Sequence, residues 1–388
     1  MAAGSLGCPV TEDTVQGTDI AIVADGIPKS RFQRPCLSDA ALGMTNSFIL
    51  LLLGLPANLG NKLLDSHILQ RYNRVMETVN FNDKSGLLDA RRYFSNPLTC
   101  LEAVSKAKWP NGPECPRCQG KKLSFLKTRL TWTCLACRKQ FSVKVGTIFE
   151  DSAIGLDKWL CAMWMLANCK NGVSSYEIAR ALGVTQKTAW FMLHRIRYAQ
   201  HHGTINKMTG TVEADETFIG GKARNMHRAE RARKITGTGG MGKAVVFGLL
   251  ERETGKVRLS VVKNTRRHHL HREIRENVAL GAELHTDALA SYNALDSEYA
   301  HKVIDHAEAY VDGNVHTNRL ENFWSLLKRA IRGTYVSVEP FHLYRYLDEQ
   351  SFRYNERHNK DAQRFQKVLN SIAGKRLPWS VLTCQEAG

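Results

Sequence analysis

The 388-residue chain has no long hydrophobic run. Its longest, Phe48 to Leu53 extended by Gly54 and Leu55, is far short of the roughly 20 residues that a bilayer-spanning helix needs. It lies too far from Met1, behind a mixed-charge stretch, for an ordinary signal peptide. It reads as a buried helix or a chance apolar stretch, and no membrane association is expected. An even ladder of cysteines is also missing. Of ten cysteines, four sit in two C-x-x-C pairs and six are scattered, which excludes a disulfide-framed secreted domain and points to a reducing compartment. Acidic residues are in deficit: 37 Asp+Glu stand against 54 Lys+Arg, for a net charge of +17. Nucleic acid is the first partner this suggests, with an anionic membrane surface as its rival. No internal repeat is visible.

What is present suffices for two or three domains. Hydrophobic residues make up 43% and charged ones 23%, so wholesale disorder is excluded. Residues 1–90 hold 7 Lys/Arg against 9 Asp/Glu, so the remaining 298 carry a net +19. Residues 1–89 show weak periodicity and receive no fold assignment. They are either a poorly ordered extension or upstream sequence read from a wrongly chosen start. From there the chain divides into 90–150, a cysteine module with a leading helix capped near Asn96; 151–205, helical; 206–360, alternating strands and helices; and 361–388, a tail.

Cys115 and Cys118 are followed, after fifteen residues, by Cys134 and Cys137. Two such knuckles supply four soft thiolates to one tetrahedral Zn²⁺ with no open position, so the site is structural. Leu123, Phe125, Leu130 and Trp132 alternate as in a hairpin, and 141–145 reads as a third strand. Arg117, Lys121, Lys122, Lys127, Arg129, Arg138, Lys139 and Lys144 surround this zinc ribbon, as either a solvated face or a DNA-backbone contact.

Residues 173–190 have the layout of a helix-turn-helix. Ser175 caps a first helix, Gly183 permits the turn, and Thr185 caps a second helix that buries Ala189, Met192 and Leu193. Its exposed face would offer Gln186, Lys187 and Arg195 to a DNA groove. The bland alternative is an ordinary helical hairpin.

Three acids stand in suggestive contexts. A strand over 211–219 puts Glu213, Asp215 and Thr217 on one face and Glu216 on the other. Two more strands, a helix and a fourth strand deliver Asp287, and a late helix carries Asn318, Glu321 and Lys328. That order is the order of an RNase H-like α/β core, a mixed five-stranded sheet with helices. Its carboxylates would hold two Mg²⁺ or Mn²⁺ ions. Glu321 and Lys328 are two turns apart on one helix face. Directly after the Asp215 strand, Lys222 to Lys243 is rich in basic residues, among them Arg228, Arg231 and Arg233. It reads either as a solvated loop or as a DNA-backbone contact that is mobile without DNA.

Residues 90–358 resemble a DDE transposase of the bacterial insertion-sequence group with an N-terminal zinc ribbon, of the ISXO2-like and Merlin-related kind. The resemblance rests on Cys-Pro-Arg-Cys at 115–118, on 141–149, on Asp-Glu-Thr-Phe-Ile-Gly-Gly-Lys at 215–222, on 316–329 and on Gly-Thr-Tyr at 333–335. It implies cutting or nicking of double-stranded DNA at element ends, then strand transfer of the 3′-OH into target DNA. It also implies a homodimer or larger assembly on DNA, in the cytoplasm with the bacterial nucleoid. Asp215, Asp287 and Glu321 become the catalytic ligands. Asn318 is the alternative third ligand, because the family is often written with Asn there. Lys328, with Arg329 beside it, becomes a DNA contact near the ions. The rivals are a DNA-binding regulator with a dead core, a host nuclease or resolvase and, more distantly, an RNA-polymerase-associated zinc protein.

Overall fold

The computed structural model describes residues 86–201, 206–221, 223–237, 240–304 and 316–383. The apolar run at 48–53 and all but the last few residues of the 1–89 segment lie outside them. The first helix, α1 (Leu87–Tyr93), straddles the boundary placed at residue 90. Helix α2 (Pro97–Lys108) starts where the sequence puts its cap: the Asn96 side chain accepts from the Leu98 amide at 2.9 Å. Pro97 takes a position whose N–H would be unpaired in any case.

Strands β1 (Leu123–Leu126), β2 (Thr131–Cys134) and β3 (Gln140–Ser142) form an antiparallel sheet in that order. Phe125, Trp132 and Phe141 pair across it, with Trp109 edge-on to Trp132. The third strand ends at Ser142 rather than at 145, because Val143, Ile148 and Phe149 turn in to join a helical core.

That core is built by α3 (Leu156–Asn168), α4 (Ser175–Leu182) and α5 (Gln186–Gln200). Gly183 ends α4 at φ 59°, ψ 51°, a left-handed conformation that suits glycine. The cap of α4 is Ser174, not Ser175. Glu177 lies three residues past Ser174, and the two close a reciprocal capping box. The Ser175 hydroxyl instead accepts from Gln186 Nε2 at 2.8 Å.

Helix α5 departs most from its sequence reading. Nine of its side chains are buried, among them His194, Arg195 and Arg197. Arg195 presents nothing to a groove. It is 3% exposed, and its guanidinium donates to the carbonyls of Ile148 (2.9 Å), Glu150 (2.6 Å) and Leu377 (3.0 Å). An arginine fork satisfies three carbonyls left over where irregular segments meet the helix. Arg195→Ala should therefore lower unfolding stability by about 3 kcal/mol, by urea denaturation, because three buried acceptors lose a charged donor. An Arg195 that faced a groove, as the sequence suggests, would leave stability unchanged.

The second half of the chain centres on a sheet. After β4 (Thr211–Ile219) come the short helix α6 (Arg228–Lys234) and strands β5 (Ala244–Glu251) and β6 (Lys256–Val262). Then follow α7 (Arg267–Asn277), β7 (Glu283–Asp287) and β8 (Ala300–Ile304). The strand order is β6-β5-β4-β7-β8. β4, β5 and β6 are antiparallel, whereas β7 and β8 run parallel to β4, so the sheet is mixed and five-stranded. On one face Val212, Ala214 and Leu249 pack with Leu270 and Ile274 of α7. On the other, Val246 and Leu250 pack beneath α8 (Asn318–Ala330) and α9 (Leu343–Asn355). Residues 361–383, assigned to a tail, are largely helical. α10 (Asp361–Asn370) buries Ala362, Phe365, Val368 and Leu369, a stripe at helical spacing, in the core around α3, and α11 (Trp379–Thr383) follows. Among the described residues no helix is long and apolar enough to cross a membrane.

Candidate metal and catalytic centre

The four cysteines meet. Cys115, Cys118, Cys134 and Cys137 offer sulfurs that all lie within 4.8 Å of one another. Two of the separations are 3.7 Å (Cys115 to Cys137) and 3.5 Å (Cys118 to Cys134). A tetrahedron with 2.3 Å Zn–S bonds has edges of about 3.8 Å, so the donor set fits zinc in type and spacing. Backbone N–H groups of each knuckle aim at Cys115 and Cys134 and favour their thiolates.

The acids gather at the sheet. β4 carries Asp215 toward α8 and places Gly248 of β5 beside it. A Cβ at Gly248 would come within 2.5 Å of the Trp324 ring, so glycine leaves room for that indole to lie on the sheet. Trp324 Nε1 then donates to Asp215 Oδ2 at 2.8 Å, and the Glu216 amide donates to Oδ1 at 2.8 Å. Burial pushes the Asp215 carboxyl up to about 6; the two donors oppose this, and the charges of Asp287 and Glu321 add to it. Asp287 ends β7 and accepts from the Leu289 amide at 3.2 Å. Glu321 lies in the first turn of α8 and accepts from Thr317 Oγ1 at 3.2 Å. The carboxylates therefore feel one another, although their oxygens are not drawn together as closely as the cysteine sulfurs are.

Glu216 does leave by the other face, yet it stays near the cluster. Tyr292, 1% exposed, donates to it at 2.5 Å, and burial pushes its carboxyl up to about 7, with Asp287 and Asp215 contributing. Asn318 opens α8, and its Oδ1 is buried with no hydrogen-bond partner among the described residues. Such an orphaned acceptor suits a cation or an incoming donor. Lys328 is half-buried; burial pushes its ammonium down, Arg332 and Lys243 act the same way and Asp215 opposes them. Arg329 is exposed.

Glu213, on the same face of β4 as Asp215, is a pin. It is fully buried and accepts from Arg252 Nε at 2.7 Å and from the Leu320 amide at 3.0 Å. Arg252 also donates to the His316 carbonyl at 2.6 Å, and Arg319 donates to the Arg252 carbonyl at 2.7 Å. This junction fixes the start of α8, and with it Asn318 and Glu321. Glu213→Ala should lower stability by about 3–5 kcal/mol in urea denaturation, because Arg252 loses its buried partner. An unchanged denaturation midpoint would remove the pin.

The other basic residues fall in two places. Lys187 is exposed at the start of α5, with its ammonium 4.7 Å from the Trp379 ring centre, and Gln186 beside it is partly buried. Arg228, Arg231 and Arg233 lie on α6, which buries no side chain. Neither group is joined to the acids by any described contact. Trp324, Arg252 and Tyr292 escape the sequence reading. Only Trp324 carries a local signal, standing one turn past Glu321 on the same helix face.

A zinc-ligand module ahead of an acid-bearing mixed sheet has clear relatives. Residues 98–140 match the transposase zinc-ribbon domain, and residues 207–355 match the ISXO2-like transposase domain. All four cysteines fall in the first stretch; Asp215, Asp287, Glu321 and Lys328 fall in the second. An uncharacterized protein in the transposable element ISH50 of Halobacterium salinarum is 25% identical over 248 residues, covering 61% of this chain and 83% of that protein. An uncharacterized transposase-like protein of Haemophilus influenzae is 33% identical over 101 residues, covering 26% of this chain and 81% of that protein. A chain from a simian T-cell lymphotropic virus intasome structure, in complex with PP2A regulatory subunit B56 gamma, aligns with 48% of this chain and 66% of its own at 13% identity. Its TM-score of 0.23 carries no argument. The class is that of insertion-sequence transposases. The chain belongs to the ISXO2-like transposase family, with its zinc ribbon.

Proposed function

We propose that this chain cuts the ends of a DNA element and joins the freed 3′-OH to target DNA, in the bacterial cytoplasm. The observation that carries the reading is the convergence of Asp215, Asp287 and Glu321 within electrostatic reach of one another, from three separate elements. The sheet supports an RNase H-like core: an antiparallel meander followed by two parallel strands, with the first acid on the central strand and the second at the end of its neighbour. The pair α4–α5 supports a helix-turn-helix in its turn and caps, with recognition confined to the first turn of α5 around Gln186 and Lys187. The working division is a ribbon over 90–150, that helical region over 151–205 and the catalytic core over 206–360, with α10 packed back onto the helices.

The donor set fits Mg²⁺ or Mn²⁺, since hard carboxylate oxygens suit them. Asp215, Asp287 and Glu321 would hold the ions, with the Asn318 oxygen as the alternative to Glu321. The bound ions would activate an attacking oxygen and stabilise the leaving one. Trp324 fixes the Asp215 carboxylate, Glu213 fixes the helix bearing the third ligand, and Lys328 meets the phosphate backbone beside the acids. Both element ends must be held at once, which calls for a dimer or larger assembly on DNA. The flanking DNA tests the reading: inverted repeats bracketing the gene, with short target duplications, are the expected result. A gene with neither at its borders, whose product shows no preference for any DNA end, would refute it.

A further inference from the structure

Beyond the acids, β4 runs into a cavity of about 270 Å³. Its walls include Ile219 at the end of β4, Gly221 just beyond it, Arg224 from the turn that follows, Lys328 and Arg332 from α8 and its continuation, and Val336. Among the described residues no carboxylate lines it. We propose that this cavity receives one unstacked nucleotide of the DNA end, its base against the apolar wall and its phosphates toward Arg224, Lys328 and Arg332. The proposal rests on the reading of the chain as a DNA-cutting transposase and names a subsite of that reaction.

Four observations support it. The size lies just under the usual range for small-ligand pockets, about 300–1,000 Å³, so it suits a fragment the size of a base and excludes a duplex. The lining combines an apolar wall with three cations, the pairing that an extruded base and its phosphates require. The location is right: Lys328 feels the charge of Asp215, and Ile219 lies four residues past Asp215, roughly 13 Å along the strand or about four base-pair rises. Finally, the backbone is unusual there. α8 widens into a π-helical turn over Ile331–Tyr335, and Val336 follows at φ 62°, ψ −59° while 78% exposed. A β-branched residue at positive φ is strained, and no burial compensates it. Strain and π turns of this kind gather at functional sites.

The test uses the full zinc-loaded chain and duplexes ending in the DNA that brackets its gene. 2-Aminopurine, which brightens when unstacked, is placed in turn at each of the last few positions, with Ca²⁺ present to hold back cleavage. Binding is followed by anisotropy on the same samples. A several-fold fluorescence rise confined to one or two neighbouring positions is expected. Gly221→Leu should abolish the rise while leaving affinity within about threefold, because a Cβ at Gly221 meets nothing within 4 Å and its side chain has room to grow into the cavity. Val336→Gly relieves backbone strain, so misfolding cannot explain a loss, and it should weaken the rise. If saturated wild-type complexes stay dark at every position, or if Gly221→Leu brightens as wild type does, the subsite is refuted while DNA binding stands. If anisotropy shows no DNA binding at all, the proposed function falls and the subsite with it.

Discussion

Asp215→Asn, and separately Asp287→Asn, should lower cleavage of DNA ends by about 10³-fold or more, in line with removal of a group that stabilises charge in the transition state. Asparagine keeps the shape and one oxygen, so at Asp215 one of the two hydrogen bonds, from Trp324 or from the Glu216 amide, survives, but the charge that would hold a divalent ion is gone. DNA affinity in Ca²⁺-free buffer should be unchanged or slightly higher, because an acid beside the phosphate path has been neutralised. Thermal stability should not fall. The folded chain holds Asp215 buried near Asp287 and Glu321, and an amide removes that like-charge repulsion. Activity and stability moving in opposite directions separate a catalytic acid from a structural one. Glu213→Ala should show the contrary pattern, losing stability first.

Zinc removal should have the second large effect. The ribbon strands are three or four residues long and have little core of their own, so the metal supplies what the sheet lacks. Cys118→Ser, or chelation, should shift Trp fluorescence to the red as Trp109 and Trp132 are exposed, and should release one zinc per chain in a colorimetric assay. DNA affinity should drop by about tenfold or more, because the basic residues around the ribbon lose their fixed geometry for phosphate contacts. Trp132 packs in the same core as α3 and α5, so part of the helical region should loosen with it. Stoichiometric zinc loss with unchanged fluorescence and DNA affinity would contradict a structural role.

Features written in local spacing were legible in the sequence. The cysteine pairs, the Asn96 cap, the turn at Gly183 and the alternation around Asp215 all reflect periods of a few residues, which single-chain reasoning handles well. Arg195 shows the limit. On a helix, an arginine between apolar positions looks like an exposed groove contact; only the carbonyl of Leu377, 182 residues away, reveals that the helix is enclosed on that side too. Glu213 was visible as an acid on the right face, but its role depends on Arg252 and Leu320, 39 and 107 residues distant. Trp324 reaches Asp215 across 109 residues, and only because Gly248 leaves space. The last helices read as a tail because basic and polar residues dilute the stripe of Phe365, Val368 and Leu369. In each case the missing information was a tertiary partner.

The most direct measurement is a cleavage assay. The zinc-loaded chain is incubated with a duplex that joins the DNA flanking its gene to the terminal sequence of the element, with Mg²⁺ as the cation, and the products are mapped at nucleotide resolution. The account predicts a cut at the element border that leaves a 3′-OH, followed by joining of that end to a second duplex, with both products absent in EDTA and in Asp215→Asn. Equal cutting by Asp215→Asn, or no cutting by the wild-type chain on DNA that it demonstrably binds, would contradict it.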